Sequence, residues 1–292
     1  MSGPLRRLTS VGAAGAAGAT HDVRCAFARL RARLEELSEL PPDEWRVLDV
    51  GCGYRYPNVI LFSRLAIPTV GLDVLPAFFR DGALARWRGE PELPLPRRVW
   101  RCAKERMLAR AYYRELERLT GWRVDHGALQ LVKYDGGAFP FDDGSFNTIV
   151  SNAVLEHVAD LPRFAAEVRR ILAPGGVFDM LWHNYYSLSG NHLPDDVNAT
   201  YPWGHLTGDT RAPDTAGLNR ARPEDVRAAF EGALDVTRCV PADAEHRLQG
   251  EPGFTPEGAE LLAGDLRRRL LAEYPEDMLL SRAFIIQGTA TA

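Results

Sequence analysis

The chain has 292 residues, of which 46% are hydrophobic and 25% charged, with a formal net charge of -4. That length accommodates one large domain with a sizeable core, and the composition is that of a globular protein. A mildly acidic balance argues against a global nucleic-acid binder, whose domains carry a basic surplus, and no apolar run approaches the ~20 residues that span a bilayer.

The first 21 residues hold Arg6 and Arg7 and then the weakly apolar stretch VGAAGAAGAT, which reads as a flexible leader. From Asp22 to Leu40 the spacing of Val23, Phe27, Leu30, Leu34 and Leu37 predicts an amphipathic helix, ended by Pro41 and Pro42. A rhythm of strands and helices follows. WRVLDV is a strand, then come a glycine turn and a short helix over about Pro57 to Leu65. PTVGLDV is a second strand ending near Asp73, and LQLVKYD a third ending in Asp135. SFNTIVSN is a fourth, a helix is expected near Leu161 to Leu172 with Pro174-Gly175-Gly176 as its cap, and VFDMLWHN is a fifth. Arg222 to Glu231 reads as a helix, ALDVTRCV as a sixth strand and SRAFIIQGT as a seventh. Such alternation predicts a mostly parallel sheet with helices on both faces.

Two stretches break the rhythm: 75–126, with its own helix at about Ala103 to Thr120, and 183–223. Loops of that length in a compact domain are usually functional, and both leave strands at their C-terminal ends, where ligands sit in open α/β sheets. Both are expected to cap one site. They concentrate aromatic residues (Phe78, Phe79, Trp87, Trp100, Tyr112, Tyr113, Trp182, Tyr185, Tyr186, Tyr201, Trp203), which suits a pocket for a small organic molecule.

Cys25, Cys52, Cys102 and Cys239 form no Cys-x-x-Cys pair and read as reduced thiols of a cytoplasmic protein. Asn198-Ala-Thr200 matches a glycosylation acceptor, but no secretion signal accompanies it. Arg106, Arg110, Arg114 and Arg118 recur every four residues on the helix of the first insert, with Arg97, Arg98, Arg101 and Lys104 before them. This stripe either binds an anionic partner or is a solvated face balanced by Glu105, Glu115 and Glu117.

The sharpest signal is VLDVGCGYRYP, Val47 to Pro57. Gly51 and Gly53 let the backbone approach a ligand closely. Where a dinucleotide-binding loop would carry a third glycine this chain has Arg55 and then Tyr56, so the ligand need hold no pyrophosphate. Asp73 lies 22 residues after Gly51, at a strand end where a carboxylate can accept hydrogen bonds from both ribose hydroxyls.

Taken with YDGGAFPFDDGSFNTIVSNAVLEHV and RRILAPGGVF, this turn and Asp73 resemble, in order, the motifs of class I S-adenosylmethionine-dependent methyltransferases. The resemblance is close over Val47 to Trp182. It implies a single Rossmann-like α/β domain over 22–292: a seven-stranded, mostly parallel sheet with helices on both faces and cap inserts. It implies S-adenosyl-L-methionine as cofactor. Gly51, Cys52 and Gly53 would admit its methionine part, with Asp49 organising the turn. Asp73 with Val74 would hold the ribose. Asp135 and Gly136 would meet the adenine, with Asn152 and Val154 to His157 on the other side.

Methyl transfer needs alignment and, for some acceptors, a base; His183, His157 and His192 are the candidates. No metal is expected, although His192, Asp195, Asp196 and His205 could form an oxygen-rich site. The expected substrate is a small organic acceptor, anionic if the arginine stripe serves it, methylated first at oxygen and otherwise at nitrogen or carbon. The Ala-, Arg- and Gly-rich composition suggests a high-GC bacterium, where such enzymes decorate secondary metabolites. Two alternatives are an RNA methyltransferase using the arginine stripe and a cofactor-binding partner protein that transfers nothing.

Overall fold

The computed structural model describes residues 4–74, 94–212, 217–242 and 258–290. The architecture is the expected Rossmann-like α/β one, with seven strands in a mixed, mostly parallel sheet. The chain divides into two compact units, 1–140 and 141–292. Among the described residues no helix is long and apolar enough to cross a membrane.

The first unit opens with helix α1 (Pro4–His21), a π-helical turn (Asp22–Ala26) and α2 (Phe27–Leu37). The expected flexible leader is therefore helical. Alanine is the best helix former, and the glycines serve close packing rather than flexibility. A Cβ on Gly15 would run into the Leu108 carbonyl, and one on Gly18 would lie 3.3 Å from the Arg55 guanidinium. The predicted helix from Asp22 is thus the second half of a longer helical run, and its Phe27, Leu30 and Leu34 are buried as the spacing requires.

Strand β1 (Val47–Val50) runs parallel to β2 (Thr69–Asp73), which runs parallel to β3 (Gln130–Lys133). Helix α3 (Pro57–Arg64) joins β1 to β2. Helix α4 spans Leu95–Thr120, eight residues longer at its start than its sequence pattern predicts. Residues 75–93 of that insert, with Phe78, Phe79 and Trp87, lie outside the described residues. Tyr112, Tyr113 and Leu116 of α4 pack with Tyr56, Val59 and Ile60 into one core cluster.

In the second unit β4 (Phe146–Asn152) pairs in parallel with β5 (Leu172–His183). Between them α5 (Leu161–Ile171) is capped by the Asp160 carboxylate, which accepts from the Arg163 N–H at 3.0 Å. Pro174-Gly175-Gly176 does not cap this helix, because β5 begins at Leu172. The register with β4 breaks between Phe146 and Thr148, and Gly175 takes a left-handed φ of 71° in the resulting irregularity. The second insert carries two short helices, α6 (Asp195–Thr200) and α7 (Gly204–Thr207). After α8 (Pro223–Glu231) come β6 (Asp235–Pro241), two further helices (Gly264–Leu271, Glu276–Leu280) and β7 (Ala283–Thr289). Strand β7 is antiparallel to both β5 and β6.

Candidate functional site

Within the first unit the nominated residues converge at the C-terminal ends of β1, β2 and β3. Gly51 and Gly53 take left-handed φ values of 71° and 67°. The Gly51 N–H donates to the Leu72 carbonyl at 2.7 Å, and the Gly53 N–H to Asp73 Oδ2, also at 2.7 Å. The turn is thus tied to β2 at its backbone and at the Asp73 carboxylate. A Cβ on Gly53 would meet nothing within 4 Å, so the turn faces open space. Gly71 is the opposite case: a Cβ there would lie 2.8 Å from Leu131 and 2.9 Å from both Cys52 Sγ and Val59. The Cys52 thiol fills that gap. It belongs to the buried core, and burial pushes its pKa well up, so any ligand contact at Cys52 falls to its backbone.

Asp49 lies beneath the turn and is 1% exposed. Its Oδ1 accepts from Asn58 Nδ2 at 3.3 Å, while Oδ2 is buried without a hydrogen-bond partner. Burial raises its pKa from 3.8 to about 7, against the Asn58 hydrogen bond, with the Asp73 charge adding to the rise. Val74 is exposed beyond β2, and its Cγ1 lies 3.7 Å from where a Cβ on Gly136 would stand. Asp135 closes a local turn, accepting from the Gly137 N–H at 2.8 Å.

The basic and aromatic continuation of the turn anchors helices. Tyr56 is held at φ 38°, fully buried, and its hydroxyl lies 2.8 Å from His126 Nδ1. The Arg55 guanidinium sits 5.0 Å from the Tyr112 ring centroid, and the Arg55 carbonyl accepts from the Tyr113 hydroxyl at 3.1 Å. Tyr112 in turn donates to Asp22 Oδ2 at 2.6 Å. Where a third glycine is common, this chain ties α4 and the π-helical turn to the loop.

In the second unit the three nominated histidines come together. His183 ends β5 with its side chain 36% exposed, and its Nδ1 lies 2.9 Å from Glu156 Oε1. The His192 ring lies 5.3 Å from that of His183 and 5.5 Å from that of His157. Burial first, and then the neighbouring His183, lower the pKa of His192 and favour its neutral form. Glu156 lies in the Val154 to His157 stretch expected to line the cofactor, but the sequence did not mark it as a partner of His183. It sits in the single helical turn Leu155–His157, with its side chain 4% exposed. Neither carboxylate oxygen accepts an aligned hydrogen bond, so the His183 contact is an ion-pair approach. Asn219 fixes this turn, donating from Nδ2 to the Leu155 and Val158 carbonyls at 2.6 and 2.8 Å. Asn152 ends β4, opposite Leu181.

The other expectations for the second insert are corrected. His205 is engaged with the Tyr185 carbonyl at 2.9 Å, and the group of metal-ligating side chains found among the described residues is Glu156, His183 and His192, without Asp195, Asp196 or His205. Trp182, Tyr185 and Trp203 are buried core residues, as are Tyr112 and Tyr113 in the first unit; large rings at these positions fill interiors rather than line a cleft.

Residues 20–198, more than half of the chain, match the family model described as a methyltransferase domain. Over 120 residues the chain is 29% identical to an uncharacterized 37.1 kDa protein in transposon Tn4556 of Streptomyces fradiae, an alignment spanning 41% of this chain and 33% of that protein. Among solved structures it is similar to geranyl diphosphate C-methyltransferase from Streptomyces coelicolor A3(2), at 13% identity and a TM-score of 0.46, over 90% of this chain and 79% of that one. It is also similar to a chain of a Haloferax volcanii complex that contains the Trm112 methyltransferase activator, at 17% identity and a TM-score of 0.45, over 94% of this chain and 97% of that one. The chain belongs to the methyltransferase domain family, whose class I members use S-adenosyl-L-methionine as cofactor.

Proposed function

We propose that this protein transfers the methyl group of S-adenosyl-L-methionine to a small organic acceptor, at oxygen first and otherwise at nitrogen or carbon, in secondary metabolism. The observation that carries the reading is the open glycine turn whose Gly53 N–H is bound to the Asp73 carboxylate at 2.7 Å. The residues present fit the cofactor: Asp49 offers a buried carboxylate oxygen without a donor to a cationic ligand, and no side chain obstructs the turn at Gly53.

When bound, the cofactor supplies a methyl group activated on a sulfonium. Gly51 and Gly53, with the Cys52 backbone, admit its methionine part, and Asp73 with Val74 holds the ribose. Asp135 and Gly136 meet the adenine. The acceptor falls to His183, His192, His157 and Glu156, which combine imidazole rings with one buried carboxylate. Holding an acceptor atom on the line of displacement can lower a barrier by about 7–11 kcal/mol, so orientation is the main demand on these side chains.

Calorimetric titration with S-adenosylhomocysteine tests the reading. Asp73→Ala should weaken binding by about 10- to 100-fold, the equivalent of about 1.5–3 kcal/mol for a hydrogen bond to a charged group. Equal affinity in the variant, with the same melting temperature as wild type, would remove Asp73 from the site.

A further inference from the structure

Glu156 is an anomaly in the second unit. Burying a carboxylate this deeply is unfavourable unless something positive compensates it. His183 stands 2.9 Å away, yet neither carboxylate oxygen accepts an aligned hydrogen bond. The backbone of this turn is pinned by three hydrogen bonds from Asn219: besides its two side-chain bonds, Asn219 donates its own N–H to the Glu156 carbonyl at 2.9 Å. The acid is therefore held in place by elements that do nothing to neutralise it.

Two imidazoles approach it from separate elements. His183 comes from the end of β5. His192 comes from a turn in which it takes a left-handed φ of 57°, closed by its own N–H to the Ser189 carbonyl at 2.9 Å. Non-glycine residues in that conformation are strained and gather at functional sites. One ligand atom from each of Glu156, His183 and His192 lies within 4.8 Å of the other two. Two ligands on one tetrahedral ion stand about 3.3 Å apart, so Glu156 and His183 are already near that spacing, and exposed His192 needs only a side-chain rotation.

We propose that Glu156, His183 and His192 bind a divalent transition-metal ion. Two nitrogen donors and one carboxylate select a borderline ion of the Zn2+ or Fe2+ type over Mg2+ or Ca2+, which take oxygen ligands. Three protein ligands leave coordination positions open. With His183 half exposed and His192 exposed, those positions face outward and suit a hydroxyl, carbonyl or carboxylate oxygen of a small molecule. His183 then serves as a ligand rather than as a general base. The ion supplies the positive charge that the Glu156 carboxylate lacks. Binding of the ion does not depend on the methyl-transfer reading; only the use of its open positions by a methyl acceptor does.

The full chain is freed of metal with a chelator and titrated with Zn2+ alone, then with Co2+ as an optical probe. One equivalent of Zn2+ should bind, and Co2+ should give the visible bands of a site of low coordination number, displaced by Zn2+ and not by excess Mg2+. His192→Ala removes an exposed side chain and leaves the fold intact. It should weaken Zn2+ by about 100-fold or more, at or beyond the upper end of what loss of a supporting hydrogen bond does. His157→Ala, the exposed histidine beside the trio, should stay within a few-fold of wild type. Glu156→Gln should abolish the Co2+ bands. If Glu156→Gln fails to fold, the two histidine variants decide. Absence of stoichiometric Zn2+ binding, or equal losses in His157→Ala and His192→Ala, would overturn the site. S-adenosylhomocysteine titration of the same metal-free samples reads the cofactor separately.

Discussion

Replacing Asp49 with asparagine should change how stability depends on pH, and by a calculable amount. The side chain is 1% exposed and its pKa is raised from 3.8 to about 7, chiefly by burial. Between those values the unfolded chain has lost the proton that the folded chain retains. The folded state binds more protons there, so stability falls as pH rises. Asp49's contribution is fully present below about pH 4 and is lost as pH rises through about 7. A difference of about 3 pKa units at ~1.36 kcal/mol each sets a ceiling of about 4 kcal/mol, of which about 2.3 kcal/mol falls between pH 5 and pH 7. Asparagine keeps the acceptor for Asn58 and cannot titrate in this range. Urea denaturation of both proteins at half-unit steps from pH 5 to pH 8 reads the effect. The wild type should lose about 2.6 kcal/mol relative to Asp49→Asn between pH 5 and pH 8, whatever the offset between them at pH 5. All other titrating groups are shared, so the difference isolates Asp49. A difference flat to within about 0.5 kcal/mol would show that Asp49 is ionised throughout and that burial does not control it.

Three further outcomes follow from the same geometry. Gly53→Ala and Gly71→Ala should dissociate binding from stability. The first puts a methyl into open space at a left-handed φ and should cost about 1 kcal/mol of stability while weakening S-adenosylhomocysteine. The second drives a methyl into Leu131, Cys52 and Val59 and should cost about 1–3 kcal/mol; calorimetry beside thermal melts separates the two. Asn184 donates to the Met278 and Ser281 carbonyls at 2.7 and 2.8 Å, so Asn184→Ala orphans two buried acceptors and should lower unfolding free energy by about 3 kcal/mol, read by urea titration. Binding of the cationic cofactor at pH 6 should release close to one proton in the wild type and none in Asp49→Asn, measured by calorimetry in buffers of different ionisation heat.

What was legible in the sequence was local. The run from Val47 to Asp73 displays strand, glycine turn, helix and strand in 27 consecutive residues, and the structure places Asp49, Gly51, Gly53 and Asp73 within that run as the pattern implies. What was hidden depends on partners distant in the chain. The leader lacks a strong apolar stripe, and its helix is secured by packing against α4, nearly a hundred residues later. Pro174-Gly175-Gly176 looks like a helix stop because those residues break helices; here they form an irregularity inside a long strand. The aromatics of the inserts carry no mark that separates a cleft wall from a core, and the fold buries five of the eight that are described. Glu156 hid in plain view within LEHV, since nothing local pairs it with His183, 27 residues on.

Asp49 and Glu156 pose one physical problem in two places. Each is a carboxylate more than nine-tenths buried, and each keeps an oxygen with no hydrogen-bond donor. Such groups oppose folding, since a buried anion without a full complement of donors costs several kcal/mol. Asp49 answers by retaining its proton to about pH 7. Glu156 answers with the edge of a histidine. Neither answer is as good as a cation. A sulfonium or ammonium can take the place of the proton at Asp49, and a metal ion can complete the contact at Glu156. Binding then draws on free energy that the fold has left unsatisfied, and any ligand that supplies it stabilises the folded state in proportion to its occupancy. A neutral side chain of the same size would remove the cost at either position, but also the reason for a cation to bind there.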